Sequence, residues 1–144
     1  MSLRQEHEKA YLAGFLDADG SIYVRAKPNK SYKFGYQIAP YIAFFQSKAS
    51  KDFPALCLRI GHGSLRLRKD GIHEYTIQRK TEILSFLKDV EPYLVLKQKQ
   101  AKLLREILVL KENVATQKDF EFLLKKVDSF RELNYSKKRN KLTP

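Results

Sequence analysis

The spacing of apolar and polar residues changes along the chain, and each change marks an element. Residues from about Glu6 to Asp17 read as a first helix, ended by Gly20. From Ser21 to Lys27 the pattern alternates, with Ser21, Tyr23, Arg25 and Lys27 on one face and Ile22, Val24 and Ala26 on the other. Alternation of this kind predicts a half-buried strand with a cationic, aromatic outer face. Pro28-Asn29-Lys30-Ser31 reads as a turn, and a second strand is expected over Tyr32–Gln46. Pro40 inside it lacks a ladder donor, so an edge position or a bulge is expected there. A helix over about Ser50–Arg59 should end at Gly61-His62-Gly63. A third strand follows, with Ser64, Arg66 and Arg68 outward and Leu65 and Leu67 inward. Asp70-Gly71 is a hairpin signal, and the fourth strand runs from Ile72 to Arg79. Thr81 is expected to cap a helix over Glu82–Val90, and two more amphipathic helices are expected over Lys97–Glu112 and Gln117–Leu133.

The order α-β-β-α-β-β-α plus C-terminal helices predicts an α+β domain. Two hairpins form one antiparallel sheet, with the helices on one face of it. The uncovered face carries Tyr23, Arg25, Lys27, Lys33, Gln37, Arg66, Arg68, Glu74, Thr76 and Gln78, with Asn29, Lys30, Ser31 and Tyr32 at the first turn. A solvated sheet face ordinarily mixes charge signs, whereas here Glu74 alone opposes five basic residues. A twisted ribbon of this composition suits the major groove of double-stranded DNA, where arginine can pair with guanine and glutamine with adenine.

Composition sharpens that reading. The 144 residues fit one domain over 1–144, ending in a basic tail at about 136–144, and carry a formal charge of +12. Residues 21–80 hold twelve basic and three acidic residues, while residues 1–20 hold two basic and four acidic. An anionic partner relieves such an excess, and nucleic acid is the usual one. The single cysteine, Cys57, excludes an intrachain disulfide and is expected to be a buried, inert thiol. No apolar run approaches the ~20 residues that span a bilayer, so no membrane partner is expected and the protein is read as intracellular. His7, His62 and His73 form no metal-ligand pattern.

The first helix carries the chemistry. Ala10, Gly14 and Ala18 recur every four residues with Ala13 beside them, leaving one helix face nearly bare. Gly14 within a helix costs about 1 kcal/mol relative to alanine, and close approach of a second helix would offset it. The natural partner is the same helix of another copy, in an isologous homodimer. Two-fold pairing would bring the Asp19 carboxylates together at the centre, where they repel unless divalent cations sit between them and DNA phosphates. Asp17 reads as a helix-end or interface residue. Lys97 and Lys99 both fall in the first turn of a predicted helix, where the dipole disfavours cations unless a phosphate binds.

The stretch Leu12-Ala13-Gly14-Phe15-Leu16-Asp17-Ala18-Asp19-Gly20 resembles the LAGLIDADG motif at nearly every position, with Phe15 and Leu16 in place of the usual leucine and isoleucine. Element order, Gln46, the Arg66/Arg68 hairpin and Leu94-Val95-Leu96-Lys97-Gln98-Lys99-Gln100 are similar to the single-motif homodimeric branch of the homing endonucleases, over roughly residues 8–135. The resemblance implies the homing-endonuclease fold and a Mg²⁺-dependent double-strand cut in a long pseudo-palindromic DNA site that leaves 3′ overhangs, with Mn²⁺ tolerated. It implies that Asp19 and the carbonyl of Ala18 hold metal, that Gln46 positions the attacking water, and that Lys97 stabilises the transition state or assists proton transfer. A further basic residue is implied after the glutamine, with Lys48 preferred to Lys51. Organellar and prokaryotic hosts are both compatible with it. A maturase that binds intron RNA is the rival reading; intact Asp19, Gln46 and Lys97 argue against it.

Overall fold

The computed structural model describes residues 4–134. Its elements are α1 (Glu6–Asp19), β1 (Gly20–Pro28), β2 (Tyr36–Ser47), α2 (Phe53–Ile60), β3 (Ser64–Leu67), β4 (Ile72–Ile77), α3 (Lys80–Val90), a 3-10 turn (Glu91–Tyr93), α4 (Gln98–Glu112) and α5 (Gln117–Leu133). The predicted order and the antiparallel sheet are borne out, with strand order β1-β2-β4-β3. The chain forms two compact units: residues 4–22 with Tyr41–Gln98, and Tyr23–Pro40 with residues 99–134.

The core of the first unit is aromatic. Phe15 of α1 stacks on Phe44 of β2 at 5.0 Å, and Phe86 of α3 meets Phe44 edge-on at 6.1 Å. Phe53 of α2 closes against Phe15, and Tyr75 of β4 lies beside Phe44. Ile42, Phe44, Tyr75 and Ile77 are all buried, as the alternation of β2 and β4 requires. Cys57 is buried among apolar neighbours, and burial pushes its thiol up to about 11, so it stays protonated and inert as expected. In the second unit Ile38, Leu104, Leu123, Val127 and Phe130 are buried, and the Gln100 amide of α4 donates to the Leu133 carbonyl of α5 at 3.1 Å.

Several boundaries differ from expectation for identifiable reasons. The second strand begins at Tyr36, because Asn29 folds back on Ser31 through its side-chain oxygen and Gly35 adopts φ +82°. Tyr32 and Lys33 therefore lie in the turn and not on the strand face. The β2–β4 ladder runs from Ile42 to Ser47, which leaves Pro40 outside it. The second helix starts at Phe53 with Pro54 in its first turn, where a missing amide hydrogen costs nothing. Arg79, not Thr81, occupies the cap position of α3, without a side-chain bond. Strand β3 ends at Leu67 and β4 at Ile77, so Arg68 and Gln78 follow their strands. Leu65 and Leu67 are not sealed inward: they are 39% and 56% exposed, because β3 is a short edge strand. Helix α5 forms as expected, its start fixed by a reciprocal capping box between Thr116 and Asp119.

One polar contact closes the first unit. The guanidinium of Arg4 donates to Asp89 at 2.7 Å and to the Ile60 carbonyl, tying the N-terminal segment to α3 and the end of α2. Asp89 is only 2% exposed. Replacing it with alanine strands a part-buried guanidinium, which typically costs about 3 kcal/mol. Asp89→Ala should lower the urea midpoint accordingly, and Asp89→Asn less; an unchanged midpoint would show that water replaces the carboxylate there.

Candidate active site and nucleic-acid interface

The end of α1 must turn directly into β1, and Gly20 permits it. A Cβ on Gly20 would lie 3.0 Å from both the Leu16 Cα and carbonyl oxygen and collide with the Leu16 side chain. The turn leaves Asp19 as the last helical residue, exposed, and Gln46 near the end of β2 reaches it. The Gln46 amide nitrogen donates to Asp19 Oδ2 at 2.8 Å. Two residues singled out separately from the sequence are thus brought together across 27 residues of chain.

Asp17 has a different task. Its carboxylate accepts the backbone N–H of Val95 at 2.8 Å and of Lys97 at 3.0 Å, while its own carbonyl accepts from the Lys97 ammonium at 2.9 Å. The arrangement is reciprocal. A carboxylate sits at the start of α4, where the helix dipole favours negative charge, and an ammonium sits at the end of α1, where it favours positive charge. Lys97 consequently precedes α4, which begins at Gln98. Its charge is accommodated by α1 without the phosphate invoked from sequence. Lys99 does lie in the first turn of α4 and is exposed. Lys48 donates its N–H to Gly71 at 2.9 Å and lays its side chain over that glycine at the β3–β4 turn.

The bare stripe of α1 is real, with one correction. Ala10, Gly14 and Ala18 are exposed, and a Cβ on Gly14 would meet nothing within 4 Å. Ala13 is fully buried, because it points with Leu12 and Leu16 into the core of its own unit. Sequence reasoning missed the apolar residues around this stripe: Tyr11 is 61% exposed, Val95 80% and Leu96 71%. The consecutive apolar pair before Lys97 was the available signal, since nothing in the local pattern supplies it with a core.

Helix α1 ends in two aspartates with no basic residue in its last turn. The negative end of the dipole therefore adds to the Asp19 charge. Asp19 and the terminal carbonyls offer hard oxygen donors, the set that suits Mg²⁺, which keeps several waters and takes few carboxylates. Among the described residues no cluster of three or more His, Cys, Asp or Glu side chains could hold a metal ion.

The cationic face is as expected on β1 and partly restrained elsewhere. Ile22, Val24 and Ala26 are buried and Arg25 is exposed, its guanidinium 5.8 Å above the Tyr23 ring. Arg66 pairs with Glu74 directly across the β3–β4 ladder, and Arg68 with Asp70 at 2.8 Å. Ser64, Thr76, Gln78, Arg79 and Glu82 line a polar recess of about 310 Å³ beside this hairpin. Asn29, Lys30, Ser31, Tyr32 and Lys33 project from the β1–β2 turn and are exposed, while Lys27 and Gln37 are half-buried.

Fold and site together define a LAGLIDADG endonuclease: the model of that family matches residues 12–110, and the chain belongs to it. Among individual relatives, it is 39% identical over 99 residues to DNA endonuclease I-CreI of Chlamydomonas reinhardtii, covering 68% of this chain and 60% of that one. It is 37% identical over 101 residues to DNA endonuclease I-CvuI of Chlorella vulgaris, covering 69% and 62%. The matches thus span about three fifths of these relatives' length. In structure it is similar to homing endonuclease I-CvuI, solved with a DNA target in 2 mM Mg and with the DNA not cleaved, at TM-score 0.85 and 31% identity over 94% of this chain and 89% of that one. The fold is shared with the archaeal intron-encoded endonuclease I-Vdi141I, at TM-score 0.79 and 20% identity over 98% and 91%.

The Asp17 contacts predict a local effect. Removing a charged acceptor from two amides costs about 1.5–3 kcal/mol when it is sheltered, and less at this partly exposed position. Asp17→Ala should speed hydrogen exchange at the Val95 and Lys97 amides about tenfold while leaving α5 unchanged. Equal exchange in both proteins would remove the clasp.

Proposed function

We propose that this chain is a site-specific homing endonuclease that acts as a homodimer on a long, pseudo-palindromic double-stranded DNA site. The observation that carries the reading is the 2.8 Å bond from Gln46 to Asp19 at the exposed end of the motif helix. An amide that donates to one carboxylate oxygen fixes its orientation and leaves the other oxygen for a cation. The acceptor oxygen of the same amide can orient a water molecule. A divalent cation bound there would lower the pKa of the attacking water and stabilise the leaving oxygen of the phosphodiester.

One Asp19 per chain accounts for one strand, so a double-strand cut needs a second copy. The exposed stripe Ala10–Gly14–Ala18, with Tyr11, Val95 and Leu96 around it, is the face through which α1 would meet its twin. The strand and hairpin residues Arg25, Lys27, Arg66, Arg68, Glu74, Thr76 and Gln78 would then read each half-site, with phosphates held by Lys30, Lys33 and Lys99. Related endonucleases solved on DNA with Mg or with Ca support both the partner and the class of metal. The 3′ overhangs, and the roles of Lys97 and Lys48 in charge stabilisation, belong to the same reading.

Selection of cut sequences from a randomised DNA library in Mg²⁺ should return a pseudo-palindrome, and chelation should abolish cutting. Asp19→Asn should cut slower by on the order of 10³-fold, as expected when a metal-anchoring group is lost, yet still shift the target in a gel. Sedimentation at micromolar concentration should give a dimer, and affinity should fall steeply with salt. An Asp19→Asn protein that cuts as fast as the parent would overturn the catalytic assignment.

A further inference from the structure

The β1–β2 turn that would contact DNA is held from behind by the first turn of α5. Its backbone is closed by three hydrogen bonds: Asn29 N–H to the Gly35 carbonyl (2.8 Å), Tyr32 N–H to the Asn29 carbonyl (3.2 Å) and Gly35 N–H to the Tyr32 carbonyl (3.0 Å). Gly35 completes it at φ +82°, a conformation other residues adopt with strain. The turn has one large apolar anchor, Phe34. Its ring stacks on Phe120 of α5 at 5.0 Å and 16°, and Tyr36 adds a second ring 6.0 Å from Phe120. The Lys33 ammonium lies 5.4 Å above the Phe34 ring, and Lys111 of α4 donates to the Ile38 carbonyl at 3.2 Å.

Phe120 is itself fixed. It is 5% exposed and directly follows Asp119, whose carboxylate accepts the Ala115 and Thr116 amides in the capping box. Those hydrogen bonds hold the Asp119 carboxyl below the usual range. The turn's amide bonds alone would leave a solvent-facing loop of marginal order, because backbone bonds exposed to water add little net stability. An aromatic stack on the buried Phe120 ring adds an orienting contact beyond simple area burial.

We propose that Phe120, which the DNA-contacting surface does not include, is a specificity-positioning residue: through Phe34 it pre-forms the turn carrying Asn29, Ser31 and Tyr32 before DNA binds. The inference rests on the DNA-binding reading above, since it names what shapes one part of that surface. A pre-formed loop binds without an ordering cost, so loosening it lowers affinity and discrimination at the base pairs the loop reads. Chemistry at Asp19 on saturated DNA has no part in this.

The test compares the parent with Phe120→Leu, Phe34→Ala and Phe34→Tyr, each with its melting temperature recorded. Without DNA, hydrogen exchange at the Asn29, Tyr32 and Gly35 amides should quicken about tenfold in the first two variants, a loss of roughly 1.4 kcal/mol, and stay near the parent in Phe34→Tyr, which keeps the ring. With DNA, KM should rise about tenfold in the first two variants while kcat stays within about twofold. Discrimination should relax at the same base pairs that respond to Tyr32→Ala and remain intact at those that respond to Arg66→Ala. Unchanged amide exchange would overturn the proposal whether or not the protein binds DNA. Uniform loss of discrimination along the half-site, with kcat falling in step with the melting temperature, would also overturn it and leave Phe120 a packing residue. Failure of the parent to bind DNA would instead remove the functional reading while the exchange result stood.

Discussion

The three hydrogen bonds between Asp17 and the segment Val95–Lys97 set the geometry on which the candidate active site depends. They satisfy two backbone amides at the approach to α4 with a carboxylate, and one carbonyl near the end of α1 with an ammonium. Each helix thereby supplies the charge that the other's dipole favours. The consequence is a division between neighbouring acids. Asp17 is consumed by structure, and Asp19, two residues later, is left at the exposed helix end, where Gln46 donates to it. Of the two aspartates, one brackets two segments and the other is an exposed carboxylate oriented by Gln46.

The same bracket explains the exposed apolar pair. With the amides of Val95 and Lys97 captured, the intervening segment is held against the end of α1, and the Val95 and Leu96 side chains are turned outward. In the proposed homodimer, these exposed apolar side chains beside a helix face without bulk would form the surface through which two copies approach. A fully exposed Leu or Val loses roughly 1.5–3 kcal/mol of possible burial, so covering such residues symmetrically is a substantial contribution to association. In the proposed homodimer the acids at the helix ends would oppose that association unless cations accompanied it, which would link assembly to metal and to DNA.

Legibility from sequence followed the range of the interactions. Strand β1 and helix α5 were readable because alternation, a capping box and helical spacing are local properties, and the observed bounds lie within a residue or two. The resemblance singled out Asp19 and Gln46 separately, and the hydrogen bond between them was not legible because 27 residues of chain separate them. Lys97 was misplaced into a helix because the acceptor that ends the preceding segment, Asp17, lies 80 residues away. Ala13 was assigned to the bare stripe because alanine is equally small on either face, and only the packing around Leu12 and Leu16 shows which face it takes. The start of β2 was misread because the aromatic run Tyr32–Tyr36 has strand propensity, whereas Gly35 at positive φ and the Asn29 side chain impose a turn.

The charged face also gains meaning from the structure. A single-sign surface would repel itself and bind any polyanion, which gives affinity without discrimination. Here Arg66 and Arg68 are each held by an acid on the same hairpin, in exposed pairs that contribute little to stability. On the proposed DNA-binding reading, such acids act on specificity instead. They orient the planar guanidinium forks before contact, and where a base offers no acceptor the arginine keeps its acidic partner at lower cost than an unpaired group. On that reading Glu74 belongs to the recognition surface and is no exception to its charge. On the same reading the exposed Lys30 at the β1–β2 turn suits sequence-independent phosphate contact.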